Sequence, residues 1–199
     1  MRTFVALDLD PAIRHQIQNF MEEVRGLATD VRWVTAESLH VTLKFIGEKP
    51  DAKVSQIVEA LSSIHAEPFQ LRFCGAGFFP TAKAARVFWI GIEAEDALIH
   101  LARAIDESLA KIGIPKEDRA FSPHLTLARA TGRSGAPGPR KNDKTNRLFA
   151  KLQDFLATRP PPDFGTMTAR EFFLYRSQLS SKGSQYTKIA HFELQPATI

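Results

Sequence analysis

The residues best equipped for chemistry fall in a four-letter word that is written twice, His40-Val41-Thr42-Leu43 and His124-Leu125-Thr126-Leu127. Each copy lies in a run that reads as a β-strand. Side chains alternate faces along a strand, so His and Thr two positions apart share a face, with Cα atoms about 6.5–7 Å apart. Val41, Leu43 and Phe45 in the first copy, and Leu125 and Leu127 in the second, take the opposite face and are expected to build core. Imidazole, with an unperturbed pKa of about 6.5, serves as general base or general acid near neutral pH. A threonine hydroxyl beside each ring can donate to an oxygen on which negative charge builds. Two such faces opposed across one phosphorus would complete a site for in-line phosphodiester displacement. One ring takes a proton while the other gives one.

A zinc or iron site is the rival use of two histidines, and it needs a third or fourth ligand. The remaining histidines do not supply one: His15 and His100 lie on expected helices off the apolar stripes, His65 sits near a helix end, and His191 falls in the last strand. No metal and no cofactor is expected. Arg129 is a candidate phosphate anchor, because guanidinium matches phosphate geometry. Strict alternation, however, puts it on the Leu125/Leu127 face. It reaches the cleft only if the strand ends or bulges near Ala128. From Arg129 to Arg147 six basic residues (Arg129, Arg133, Arg140, Lys141, Lys144, Arg147) face one acid, Asp143. This stretch reads either as a funnel for a polyanion or as a solvated loop. Trp33, Trp89, Phe78, Phe79 and Phe121 are the aromatics that could stack on a base, with core as the other use for each.

These residues need a frame to hold them. The chain has 199 residues, 44% hydrophobic and 24% charged, with a formal net charge of +4, which fits an ordinary globular protein with a mild bias toward anionic partners. One cysteine, Cys74, excludes an internal disulfide and fits a reducing cytoplasm. The N-terminus is too short in apolar residues and too soon acidic for a secretory signal, and no run approaches the ~20 apolar residues of a membrane span.

Strands are expected over 2–9, 31–34, 38–46, around Phe69-Leu71-Phe73, over 85–93 and over 123–129, with a closing hairpin of 168–179 and 185–194 turning at Ser181–Ser184. Helices are expected after Asp10-Pro11, after Pro50-Asp51, from Asp96 to Ile112 with Gly113 as its stop, and over 145–157. Segment 131–142, rich in Gly, Pro and basic residues, reads as a loop. Strands and helices mix without strict βαβ alternation, so the expected class is α+β with antiparallel sheets: one bilobal unit over residues 1–199, with the two His-Thr faces lining a shared groove.

The chain resembles the two-histidine phosphoesterase superfamily, specifically the RNA 2′,3′-cyclic phosphodiesterases also called 2′-5′ RNA ligases. The likeness is carried by Phe4-Val5-Ala6-Leu7, Val31-Arg32-Trp33-Val34, Leu39 to Gly47 around the first motif, Arg86 to Gly91, Phe121 to Arg129 around the second, and the ending Ser177-Gln178-Leu179 to Gly183 to Tyr186. What the resemblance implies is a bilobal, pseudo-two-fold fold and metal-free opening of a 2′,3′-cyclic phosphate at an RNA end to a 2′-phosphomonoester. It further implies His40 as proton donor to the leaving 3′ oxygen, His124 as the base that activates water, and Thr42, Thr126 and Arg129 as phosphate ligands. The reverse reaction, joining RNA ends through a 2′-5′ bond, is expected too. Alternatives are a phosphodiesterase for 2′-5′ oligonucleotides or small cyclic nucleotides, and a non-catalytic module that binds RNA ends. No membrane and no obligate protein partner are expected, and the location is expected to be cytoplasmic.

Overall fold

A computed structural model describes residues 1–131, 146–180 and 183–196. Most of the basic stretch (Arg133, Arg140, Lys141 and Lys144 among it) and the tip of the last hairpin lie outside the described residues. The fold is α+β, with two wholly antiparallel sheets. The first takes β1 (Arg2–Leu7), β3 (Val41–Glu48), β8 (Glu171–Ser180) and β9 (Gly183–Glu193) in the order β3-β1-β8-β9. The second takes β2 (Val31–Trp33), β4 (Phe69–Phe79), β5 (Val87–Ala94), β6 (His124–Ala130) and β7 (Asp163–Ala169) in the order β2-β6-β5-β4-β7. Apart from the extra edge strand β2 the orders correspond. Each places a motif strand, β3 or β6, beside the strand that leads to it, β1 or β5.

The helices cross between these layers. Helix α1 (Pro11–Val24) runs from β1 but packs on β7 of the other sheet, burying Ile13, Ile17, Met21 and Val24 at helical spacing. Helix α3 (Asp96–Lys111) runs from β5 and packs on β3, and α2 (Asp51–Ser62) lies beside α3 and touches β9. Each strand–helix–strand unit therefore covers its partner's sheet. Gly113 ends α3 as its position suggests: with φ +82° it carries a Schellman closure, Gly113 N–H to the Ala110 carbonyl at 3.0 Å and Ile114 N–H to the Leu109 carbonyl at 3.1 Å. The short helix α4 (Ala150–Ala157) begins later than expected. Among the described residues, no helix is long and apolar enough to cross a membrane.

Two differences from the expected elements have the same cause, a broken alternation. Most of strand β7 was not expected: only its end, Thr168-Ala169, falls in the run 168–179 expected as the first strand of the hairpin. Its buried residues are Phe164, Met167 and Ala169, so the first pair is spaced by three rather than two, across Gly165 at φ +91° and an irregular register with β4. Phe45 was expected in the core and is 54% exposed. In the β1–β3 pairing Val5 faces Lys44 but Ala6 faces Thr42, so Leu43 is an extra residue, and the strand changes phase there. Leu43 and Lys44 both turn inward, and Phe45 moves to the face that carries Thr42.

Candidate active site

His40 sits immediately before β3, after a 3₁₀ turn at Ala36–Ser38, and His124 opens β6. The two rings are held in the same way. His40 Nδ1 lies 2.7 Å from the carbonyl of Ser38, and His124 Nδ1 lies 2.7 Å from the carbonyl of Ser122. A carbonyl only accepts, so Nδ1 carries the proton in each neutral ring, and Nε2 is left as the unprotonated nitrogen. The repeated word is therefore longer than four letters. It reads Ser-x-His-x-Thr-Leu, Ser38 to Leu43 and Ser122 to Leu127, and the serine contributes its backbone. That repetition was visible in the sequence, but nothing about a serine side chain signals a carbonyl contact.

Aromatic rings wall each imidazole. His40 packs on Phe4, with centroids 4.7 Å apart, and meets Tyr186 edge-on at 5.1 Å, with Tyr175 at 6.2 Å. Phe79 meets His124 edge-on at 5.1 Å, and Trp89 lies 6.5 Å away. The Trp89 indole lies across Gly77, where an added Cβ would come within 2.3 Å of it. Of the five aromatics singled out in the sequence, only Phe79 and Trp89 reach a motif histidine. Trp33 packs on Phe88 and donates its indole N–H to the Ala28 carbonyl, Phe78 stacks on Phe88, and Phe121 packs against the core. The aromatics around His40 come instead from β1, β8 and β9, distant in the chain, and no local pattern pointed to them.

Arg129 joins the motif face. In the β5–β6 pairing Phe88 faces Ala128 but Trp89 faces Thr126, so Leu127 is an extra residue. Leu127 and Ala128 are consecutively buried, and Arg129 returns to the side of His124 and Thr126. Its guanidinium donates to Thr126 Oγ1 at 3.4 Å, and its charge bears on both imidazoles. Both motif strands thus carry a one-residue bulge directly after the threonine, at Leu43 and at Leu127.

The surroundings disfavour charge on either ring. Burial holds His40 down to about 4; the Ser38 carbonyl works against this, Arg129 adds to it, and Asp8 opposes it. Burial, reinforced by Arg129 and opposed by the Ser122 carbonyl, also holds His124 below its usual range. The other histidines stand apart from this arrangement: His15 pairs with Asn19 on an exposed helix face, His65 meets the Ser63 carbonyl in the open, and His100 and His191 are exposed. Among the described residues no three His, Cys, Asp or Glu side chains gather as a metal-binding group.

Comparison with known proteins places this fold among the phosphoesterases. The LigT like phosphoesterase family matches residues 7–89 and again residues 90–186, one match for each motif. The chain belongs to this family. An RNA 2′,3′-cyclic phosphodiesterase of Archaeoglobus fulgidus is 36% identical over 193 residues, covering 97% of this chain and 100% of the relative. The enzyme of the same name from Methanothermobacter thermautotrophicus is 32% identical, covering 98% and 99%. Among solved structures, E. coli LigT complexed with 3′-AMP superposes with a TM-score of 0.76 at 28% identity, covering 98% of both chains.

Proposed function

We propose that this protein hydrolyses the 2′,3′-cyclic phosphate at an RNA end, in the cytoplasm, to a 2′-phosphomonoester, with residues 1–199 acting as one bilobal catalytic unit. Water attacks phosphorus and gives its proton to Nε2 of His124. The P–O3′ bond breaks, and the 3′ oxygen takes the proton from Nε2 of His40. Thr42, Thr126 and Arg129 hold the non-bridging oxygens as charge builds on them. The observation that carries this reading is the matched pair of Nδ1–carbonyl contacts, which leaves Nε2 unprotonated on each neutral ring, with the charge of one guanidinium, Arg129, bearing on both. An anionic phosphodiester favours the charged form of an imidazole beside it, and burial, which lowers both rings, strengthens that attraction. His40 then gains the proton that it must give.

Supply of both proton transfers and of the oxygen ligands by side chains is the argument for a metal-independent reaction. The names of the relatives and the nucleotide in E. coli LigT support the substrate class. With a 5′-hydroxyl in place of water the same displacement forms a 2′-5′ linkage, which is the ligation expected of this site.

His40→Ala and His124→Ala should each lower turnover of an RNA 2′,3′-cyclic phosphate by about 10²-fold or more, while EDTA leaves the native enzyme unaffected. Activity that survives in either variant, or that a chelator removes, would overturn the mechanism. A panel of RNA ends, 2′-5′ oligonucleotides and small cyclic nucleotides, with product analysis, fixes the substrate.

A further inference from the structure

The two motifs differ in one backbone position. Between serine and histidine the second copy has Pro123, whose ring locks φ near −65°, while the first has Leu39, which sits at φ −67° without a ring to hold it. The turn before it, Ala36–Ser38, is a single 3₁₀ turn, with Ser38 N–H on the Thr35 carbonyl at 3.0 Å and Leu39 N–H on the Ala36 carbonyl at 3.3 Å. Such turns have poor hydrogen-bond geometry and little stiffness of their own. Yet the Ser38 carbonyl must stay aimed at His40 Nδ1.

Arg14, on α1, reaches into this turn. One guanidinium nitrogen donates to the carbonyl of Ala36 and, at 3.3 Å, to that of Leu39. The other pairs with the carboxylate of Asp8, just past the end of β1. Asp8 is in turn held by Lys188 of β9 at 2.7 Å and by the Leu9 N–H at 2.9 Å. The gripped carbonyls flank Ser38 on both sides. A cavity of about 230 Å³ lies here, lined by Asp8, Arg14, Glu37, His40, Tyr186 and Lys188 among others, but the terminal nitrogens of Arg14 and the carboxylate of Asp8 are already engaged by one another, by Lys188 and by the backbone. That pattern is a brace.

We infer that Arg14 is the positioning residue of the first motif: its planar fork does for Ser38-Leu39-His40 what the proline ring does for Ser122-Pro123-His124. The inference rests on His40 being a catalytic residue, as proposed above. Lysine cannot replace it fully, since a single ammonium cannot hold Asp8 and two carbonyls in one plane.

The test uses the full-length chain and two readouts, steady-state kinetics and long-range ¹H–¹⁵N spectra of the histidines. In Arg14→Met we expect kcat to fall about 10-fold or more, as misplacement of a reacting group does, with a small change in KM. The His40 ring should leave the pure Nδ1–H tautomer while the His124 signals stay in place. Arg14→Lys should recover part of both. If Arg14→Met does not fold, Arg14→Lys alone carries the test, with an intermediate loss expected in both readouts. A foldable variant that keeps the Nδ1–H tautomer at His40, or keeps kcat within about twofold, overturns the inference. Failure of the reaction scheme looks different: His40→Ala would then retain activity, whatever Arg14 does to the tautomer.

Discussion

At the scale of single residues, the two histidines share a hydrogen-bonding scheme and differ in burial. Both are held below the usual imidazole range by burial, and Arg129 contributes to each. The ratio kcat/KM reports the free enzyme, whose active form under the proposed reaction has one ring protonated and one not. Its maximum should therefore fall on the acidic side of pH 6.5 and decline as pH rises through neutrality. The limits belong to the coupled pair. The kcat profile, which reports the bound complex, should lie at higher pH because the phosphate anion raises both rings. Arg129→Met removes a charge that lowers both, so it should move the kcat/KM limits upward. The loss of charge-assisted contacts, worth about 1.5–3 kcal/mol, should also reduce kcat/KM by about 10- to 100-fold. Parallel pH–rate profiles of the two proteins decide it. A variant with unmoved limits would separate Arg129 from the imidazoles.

At the scale of elements, the bulges after Thr42 and Thr126 decide which side chains meet the groove. Leu43→Ala, at a site 5% exposed, should cost about 2–5 kcal/mol of unfolding free energy. Phe45→Ala two positions on, at a site more than half exposed, should cost about 1 kcal/mol or less. Denaturant midpoints would expose the error if the two costs were equal. This is also where reading the sequence met its limit. The motif strands, the first three helices and the Gly113 stop were legible because apolar spacing and capping chemistry are local. Phe45, most of strand β7 and the side of β6 taken by Arg129 were not, because a bulge shifts the phase of alternation and leaves no mark in residue type. His40 and His124 could be named from repetition alone. Phe4, Tyr175 and Tyr186 around His40 could not, since only the sheet order β3-β1-β8-β9 brings them there.

At the scale of the whole molecule, one buried cation ties the two motifs together. Lys44, 2% exposed on the strand that follows His40, pairs with Asp106 of α3 and donates to the Pro115 carbonyl at 2.9 Å. Asp106 also accepts from the N–H of Glu117 at 3.1 Å, in the segment that leads to Ser122 and His124. Lys44→Ala should lower stability by about 2–3 kcal/mol, less than the full cost of stranding a buried ion, because the Asp106 side chain keeps 20% of its exposure. Thermal or chemical unfolding measures it.

The sheets also interleave the chain. Strands β1 and β3 must find β8 and β9, while β4 and β5 must find β6 and β7. A polypeptide cut between residues 94 and 95 would leave both layers incomplete in either fragment, each with raw strand edges seeking partners. Expressed apart, the fragments should be insoluble or unstructured; expressed together, they should complement one another into an active enzyme.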